Sequence, residues 1–231
     1  MTVAAILVAA GRGARMGAGR PKAFLRLGGR TILERTLGAF TSHPGIGRIV
    51  VAVADPAEAS DLLGSAASGA LLVRGGEKRQ DSVRMALEAI GPAEADVILV
   101  HDAARPLVSR ALIDSVIAAA AEHGAAVPVV PAADTVKRLG PDGSIEATLP
   151  RETLRLAQTP QGFRSSVLRE AYARAARDGF TGTDDAALVE RSGGRVAAVP
   201  GSPGNLKITT PEDLVLAEAL LSGRPGGEEH A

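Results

Sequence analysis

Four glycines and four cations share one short segment near the start of this chain. Gly11 and Gly13 follow the apolar run Ala4 to Val8, and Arg12, Arg15, Arg20 and Lys22 surround them. Glycine lets a backbone approach a ligand closely and present its N–H groups to phosphate oxygens. Cations crowded on such a turn repel one another unless an anion neutralises them. The chemistry implied is the handling of a polyphosphate. Two familiar templates fail at named positions. A dinucleotide-binding turn needs a third glycine three residues after the second, where Met16 stands, and no acidic residue closes a strand at the usual distance beyond it. A P-loop needs Gly-Lys-Ser/Thr, yet Lys22 lies between Pro21 and Ala23. A loop that holds a nucleotide in another way remains, against the alternative of a surface loop with its arginines in solvent.

A later stretch carries charge where it could reach that loop. His101-Asp102-Ala103-Ala104-Arg105-Pro106 follows an apolar run, which puts Asp102 at the carboxyl edge of a strand beside the first loop. The plainer reading is a buried Asp–Arg pair. His101 reads as a packed, hydrogen-bonded histidine. Lys207, in Asn205-Leu206-Lys207, comes just before the last helix. The chain has no cysteine, and His43, His101, His123 and His230 lie far apart without metal-ligand spacing. Thiol nucleophiles, disulfides and thiolate metal sites are therefore excluded.

These residues need a scaffold, and the pattern supplies an α/β one. Short apolar strands are expected at Ala4 to Val8, Ile49 to Val53, Leu71 to Val73, Val97 to Val100, Val127 to Val130 and Val196 to Val199. Helices alternate with them at Ile32 to Phe40, Gln80 to Ile90, from the Ser109 cap to Glu122 with Gly124 as the stop, and Val167 to Arg177. Further helices open at Thr183-Asp184-Asp185, where Thr183 could serve as the cap, and after the capping Thr210. The alternation predicts a Rossmann-like, mainly parallel sheet with helices on both faces. One domain spans residues 1–231, with two departures. Residues of about 135–152 form a β-hairpin arm around Gly140-Pro141-Asp142-Gly143, too polar for the core. It is expected either to pack on a second subunit or to stand as a solvated insertion. The tail at about 222–231 is expected to be disordered.

Composition sets outer limits. Of 231 residues 45% are hydrophobic but only 2% aromatic, so the core must be aliphatic. Lys and Arg number 26, as do Asp and Glu, so there is no basic surface for nucleic acid or an anionic membrane. With no signal-peptide pattern and no apolar run long enough to span a bilayer, a cytoplasmic protein is expected.

The run Ala9-Ala10-Gly11-x-Gly13-x-Arg15-Met16-Gly17, then Pro21-Lys22, resembles the signature of the sugar-phosphate nucleotidyltransferase superfamily. Gly75-Gly76-Glu77-x-Arg79-x-Asp81-Ser82-Val83, Val100 to Pro106, Asp134-Thr135-Val136-Lys137, Thr159-Pro160-Gln161, Thr183-Asp184-Asp185 and Asn205 to Thr209 follow in order. The set is similar to the 2-C-methyl-D-erythritol 4-phosphate cytidylyltransferase family, from Val3 to about Leu220. The resemblance implies transfer of CMP from CTP to a sugar-alcohol phosphate. It implies that Arg15 and Lys22 stabilise the transition state while Mg²⁺ bridges the triphosphate, with Asp102 as its one possible protein ligand. Ala9, Ala10, Gly11, Gly13, Gly76, Glu77, Ser82 and Ala103 would bind the nucleotide. Asp102, Arg105, Thr159 and Thr183 would contact the substrate, and Lys207 would position both phosphates. Thr135 and Arg151 would enter the site of a neighbouring subunit across a homodimer. The competing readings are a ribitol-5-phosphate cytidylyltransferase, a purine-using sugar or molybdopterin nucleotidyltransferase, and a sensor that binds CTP without turning it over.

Overall fold

The computed structural model describes residues 1–11 and 21–223. Along the chain run β1 (Val3–Val8), β2 (Arg26–Leu27), β3 (Arg30–Thr31), α1 (Ile32–Thr41), β4 (Ile46–Val53), α2 (Pro56–Leu63), β5 (Ala70–Arg74), α3 (Arg79–Ala89) and β6 (Val97–Asp102). Then follow α4 (Arg110–His123), β7 (Ala125–Pro131), β8 (Lys137–Leu139), β9 (Ile145–Thr148), β10 (Arg155–Ala157), β11 (Gln161–Arg164), α5 (Ser165–Asp178), α6 (Asp185–Arg191), β12 (Ala197–Pro200) and α7 (Pro211–Ser222).

β1 is apolar throughout because both of its faces are covered. Side chains alternate across a strand, so Val3, Ala5 and Leu7 join one core cluster while Ala4 and Ile6 join another. α1, α2 and α4 supply the first cluster; α3, α5 and α6 supply the second. The strand order is β10-β7-β11-β6-β1-β4-β5, with β12 also on β7. β5, β4, β1 and β6 are parallel neighbours, as are β7 and β12, while β10 and β11 run antiparallel to theirs. The expected α/β architecture with a mostly parallel sheet is therefore what forms.

The sequence pattern misses β2, β3, α2, β10 and β11, and for the last three the reason is local. β11 is short and begins and ends in polar residues, so it carries no apolar run. A Cβ at its Gly162 would lie 2.7 Å from Val116 Cγ1, so glycine is what lets α4 settle on this strand. β10 has three exposed residues. α2 begins at Pro56 beneath an Asp55 side chain that accepts from Ala57 and Glu58 N–H, an N-terminal signature hidden by the strand just before it. One expected cap is corrected: α6 is capped by Asp184, whose Oδ1 accepts the Ala187 N–H at 2.9 Å, and Thr183 stands exposed outside it.

The polar segment does form a hairpin. β8 and β9 pair antiparallel around the turn, with Gly143 at φ 82°. They make a two-stranded sheet of their own, apart from the main one. Residues 224–231, which hold most of the tail expected to be disordered, lie outside the described residues. Among the described residues no helix is long and apolar enough to cross a membrane.

Candidate functional site

The strand order reverses at β1. The chain goes from β1 to β4 and β5 on one side, then crosses back to place β6 on the other. Ligands of open α/β sheets bind in the crevice at the carboxyl ends of strands where this reversal occurs. Here the register sets Val8 opposite Asp102, and the Ala103 N–H reaches Val8 O at 3.1 Å. On the other flank the Ala9 N–H meets Ala52 O at 2.8 Å and the Gly75 N–H meets Val53 O at 2.7 Å. Three loops thus leave the sheet side by side.

Between them lies a cavity of about 190 Å³. Of the residues expected from the sequence, Ala9, Ala10, Gly11, Lys22, Gly76, Glu77, Ser82, Asp102, Ala103 and Lys207 line it. Gly76 has a packing reason to be glycine: a Cβ there would sit 2.3 Å from Asp81 Cβ. Gly75 is likewise closed in by Ala10 and Ser82. The Ser82 hydroxyl accepts the Gly76 N–H at 3.1 Å and fixes this loop to the start of α3.

Asp102 is the electrostatic centre. Its Oδ2 lies 2.7 Å from Lys207 Nζ and 4.0 Å from Arg105 Nε, and its Oδ1 accepts from Arg79 Nε at 3.2 Å. Burial would raise the pKa of this carboxyl, but Arg79 and Lys207 outweigh it and hold it well below the usual carboxylate range. It is therefore ionised at any physiological pH. Lys207 remains 41% exposed in the cavity wall.

The Lys207 segment is tied to the turn after β6. Arg105 Nη1 donates to Asn205 O at 2.7 Å, Asn205 Nδ2 donates to Thr159 O at 2.8 Å, and the Ile208 N–H reaches Ala104 O at 2.8 Å. Arg105 is buried, so its role within the chain is to hold Asn205 and stand near Asp102. Thr159 is also buried, behind Asp102, whose N–H its hydroxyl accepts at 3.0 Å.

His101 has the packed state expected of it. Its Nε2 faces Arg105 O at 3.1 Å, which can only accept, so Nε2 carries the proton. Nδ1 then accepts from the Thr159 hydroxyl at 3.1 Å. Burial pushes its pKa down to about 4, and both ring nitrogens are occupied. It is a neutral strut.

The remaining expected residues lie elsewhere. Thr183, Thr135 and Arg151 are exposed and do not line the cavity. Arg151 Nη1 donates to Ala133 O at 2.9 Å, which joins the two ends of the arm. Gly13 and Arg15 lie outside the described residues, with Arg12 and Arg20.

Two charged residues of the wall escaped the sequence reading of the site, as did the apolar Val8, Ala23 and Ala104. Lys78 and Arg79 both line the cavity, and Arg79 joins two carboxylates, Asp102 and Asp185. The available signal for Arg79 was its place inside the Gly75 to Val83 motif, where the sequence reading gave it no role.

Among the described residues no three His, Cys, Asp or Glu side chains gather as a metal cage. The ionised Asp102 does suit a hard divalent cation that takes most of its oxygen ligands from a bound triphosphate and water.

The family model described as 2-C-methyl-D-erythritol 4-phosphate cytidylyltransferase (IspD) matches residues 3–223. A protein of that name from Syntrophotalea carbinolica is 47% identical, covering 96% of this chain and 97% of that one. A bifunctional enzyme IspD/IspF from Bradyrhizobium sp. (strain BTAi1) is 49% identical over 96% of this chain, which spans only 57% of the relative's length. The crystal structure of 2-C-methyl-D-erythritol 4-phosphate cytidylyltransferase from Thermus thermophilus superimposes with a TM-score of 0.80. It is 45% identical, covering 96% of this chain and all of that one.

Proposed function

The chain belongs to the 2-C-methyl-D-erythritol 4-phosphate cytidylyltransferase family, and on that premise we propose that it transfers CMP from CTP to 2-C-methyl-D-erythritol 4-phosphate. The products are 4-diphosphocytidyl-2-C-methyl-D-erythritol and pyrophosphate, in isoprenoid precursor synthesis, and the proposal places the enzyme in the cytoplasm. The observation that carries this reading beyond family membership is the cavity wall, where Lys22 and the Asp102–Lys207 pair meet the Gly76–Ser82 loop.

In the proposed step a phosphate oxygen of the sugar alcohol attacks the α-phosphorus of CTP. An oxygen–phosphorus bond forms, the bond from the α-phosphorus to the bridging oxygen breaks, and its electron pair leaves with pyrophosphate. The attacking phosphate is already ionised, so no general base is required. The neutral His101, with both nitrogens occupied, accords with that. Catalysis then rests on alignment and charge neutralisation. Lys22 and Arg15 would stabilise the five-coordinate phosphorus. Lys207, steered by Asp102, would hold the two reacting phosphates together. Ala9, Ala10, Gly11, Gly13, Gly76, Glu77, Ser82 and Ala103 would enclose the nucleotide, where small side chains and backbone groups fit one pyrimidine ring. Mg²⁺, when bound, neutralises charge on the triphosphate, and Asp102 would hold it together with phosphate oxygens.

Arg105 and Thr159, buried behind the wall, would serve the substrate side by holding Asn205 and Asp102 in place, and Thr183 would contact the substrate from outside this cavity. Thr135 and Arg151 would do so from a second copy of the chain. The arm supports that arrangement: Leu139 and Ile145 are 59% and 64% exposed, and the neighbouring β10 is an edge strand carrying exposed Leu156. A two-stranded hairpin is marginal alone, and apolar side chains on it call for a partner.

Pyrophosphate release tests the reading. With CTP and Mg²⁺, methylerythritol phosphate should support turnover at least about tenfold better than ribitol phosphate, and ATP or GTP should not replace CTP. Preference for ribitol phosphate would reassign the substrate. Binding of CTP with no release from any pair would make the protein a sensor.

A further inference from the structure

A line of alternating charge runs inward from the cavity. Lys207 pairs with Asp102 at 2.7 Å, Asp102 with Arg79 at 3.2 Å, and Arg79 Nη1 with Asp185 Oδ2 at 2.7 Å. Asp185 Oδ1 then accepts from the Tyr172 hydroxyl at 2.6 Å. Four elements contribute: the end of β6, the first residue of α3, the first residue of α6, and the middle of α5.

The inner members are expensive to bury. Asp185 is only 1% exposed, and a buried carboxylate is tolerated when its oxygens are fully paired. Here Oδ2 takes a guanidinium N–H and Oδ1 takes a phenol O–H, so both are satisfied. A solvated lysine salt bridge could neutralise Asp102 without any of this. What the inner chain adds is direction. The planar guanidinium of Arg79 spends Nε on Asp102 and Nη1 on Asp185, so its plane is fixed by two separate carboxylates. That in turn limits how the Asp102 carboxylate can rotate, and Lys207 sits on its other oxygen. Nη2 of Arg79 is buried without a partner among the described residues, on a side chain that lines the cavity. An orphan donor of this kind is costly for the folded protein alone.

We infer that Arg79, braced by Asp185 and Tyr172, is a positioning residue for the transfer reaction, acting through Asp102 to set where Lys207 holds the reacting phosphates. The inference rests on the transferase reading above. It assigns work to a residue beyond those that the resemblance brought to the site, and it makes the helix start at Asp184-Asp185 a functional brace.

A double-mutant cycle on kcat, with CTP affinity measured separately, tests it. Arg79→Gln should lower kcat by about 100-fold and change the Kd for CTP by less than about threefold. Arg79→Lys, which keeps the charge and loses the fork, should recover about tenfold of that loss. In an Asp102→Asn background, adding Arg79→Gln should cost less than about threefold, because the route of action is already cut. If Arg79→Gln does not fold, Tyr172→Phe removes one hydroxyl from the brace and should lower kcat by about threefold at unchanged CTP affinity. Wild-type kcat in a folded Arg79→Gln or Tyr172→Phe protein would overturn the inference. So would losses from Arg79→Gln and Asp102→Asn that simply multiply. A wild-type protein without turnover would instead remove the transferase reading, and this inference with it.

Discussion

Arg138 and Glu146 meet at 3.0 Å on the arm, and Arg79 and Asp185 meet at 2.7 Å beneath the cavity. The chemical groups are nearly the same and the surroundings are opposite. On the arm both partners are more than half exposed, and a pair of that kind contributes between zero and about 1 kcal/mol. Beneath the cavity one carboxylate is out of water altogether, and removing its partner would leave an uncompensated buried charge. The first pair decorates a surface. The second constrains a geometry that one chain completes by itself. The arm, with its exposed Leu139 and Ile145, has no such completion among the described residues.

The largest expected effect falls on the cavity side. Lys22→Ala should reduce kcat by about a thousandfold while weakening CTP binding much less, if, as proposed, the cation acts on charge that develops only in the transition state. Steady-state kinetics beside direct CTP titration checks this. Wild-type turnover with lost affinity would mean that Lys22 merely binds.

The buried side should also betray itself in acid. His101 has its folded pKa pushed down to about 4, below the ordinary value near 6.5. Between those two values the unfolded chain binds the extra proton and the folded chain does not, so stability falls as pH drops. The loss should begin near pH 6.5 and reach about 3 kcal/mol by pH 4. Urea unfolding across that window measures it. His101→Gln should flatten the His101 contribution, whatever the acid-sensitive carboxylates add.

Arg151→Ala should cost about 10- to 100-fold in kcat, with no loss of thermal stability, since the residue is exposed and among the described residues its side chain donates to Ala133 O alone. Smallest of all, Leu139→Ser with Ile145→Ser should leave the monomer's fold intact and shift it toward single chains, seen in sedimentation at micromolar concentration. An unchanged mass would separate the arm from assembly.

What could be read in the sequence follows the same division. Asp102 was legible because it ends β6, and the ends of elements can be placed from apolar periodicity. Lys207, four residues before α7, was legible only through the family motif. The hairpin was legible from its Gly-Pro-Asp-Gly turn. The Arg79–Asp185 pair was not, because 106 residues separate its members and no periodicity links them. β11 was hidden for a related reason: its place between β6 and β7 is set by pairing on both sides and by a glycine under α4, not by its own side chains. Nor could spacing show that Thr159 stands behind Asp102, since that contact is made across the sheet. Local signals reveal elements and their ends. Long-range pairing reveals which charges share a site.

The direct test of this contrast is to mix two impaired variants. Lys22→Ala should be nearly inactive alone, and Arg151→Ala should keep at most about a tenth of wild-type turnover. If the arm serves the neighbouring copy, a heterodimer of the two holds one site with both residues intact. Random exchange makes about half the dimers mixed, so about a quarter of wild-type turnover should return. Mixing Lys22→Ala with Lys207→Ala, both in the wall of one chain's cavity, should restore nothing. No recovery in the first mixture, with dimer exchange verified by mass, would contradict the account and place Arg151 in the service of its own chain.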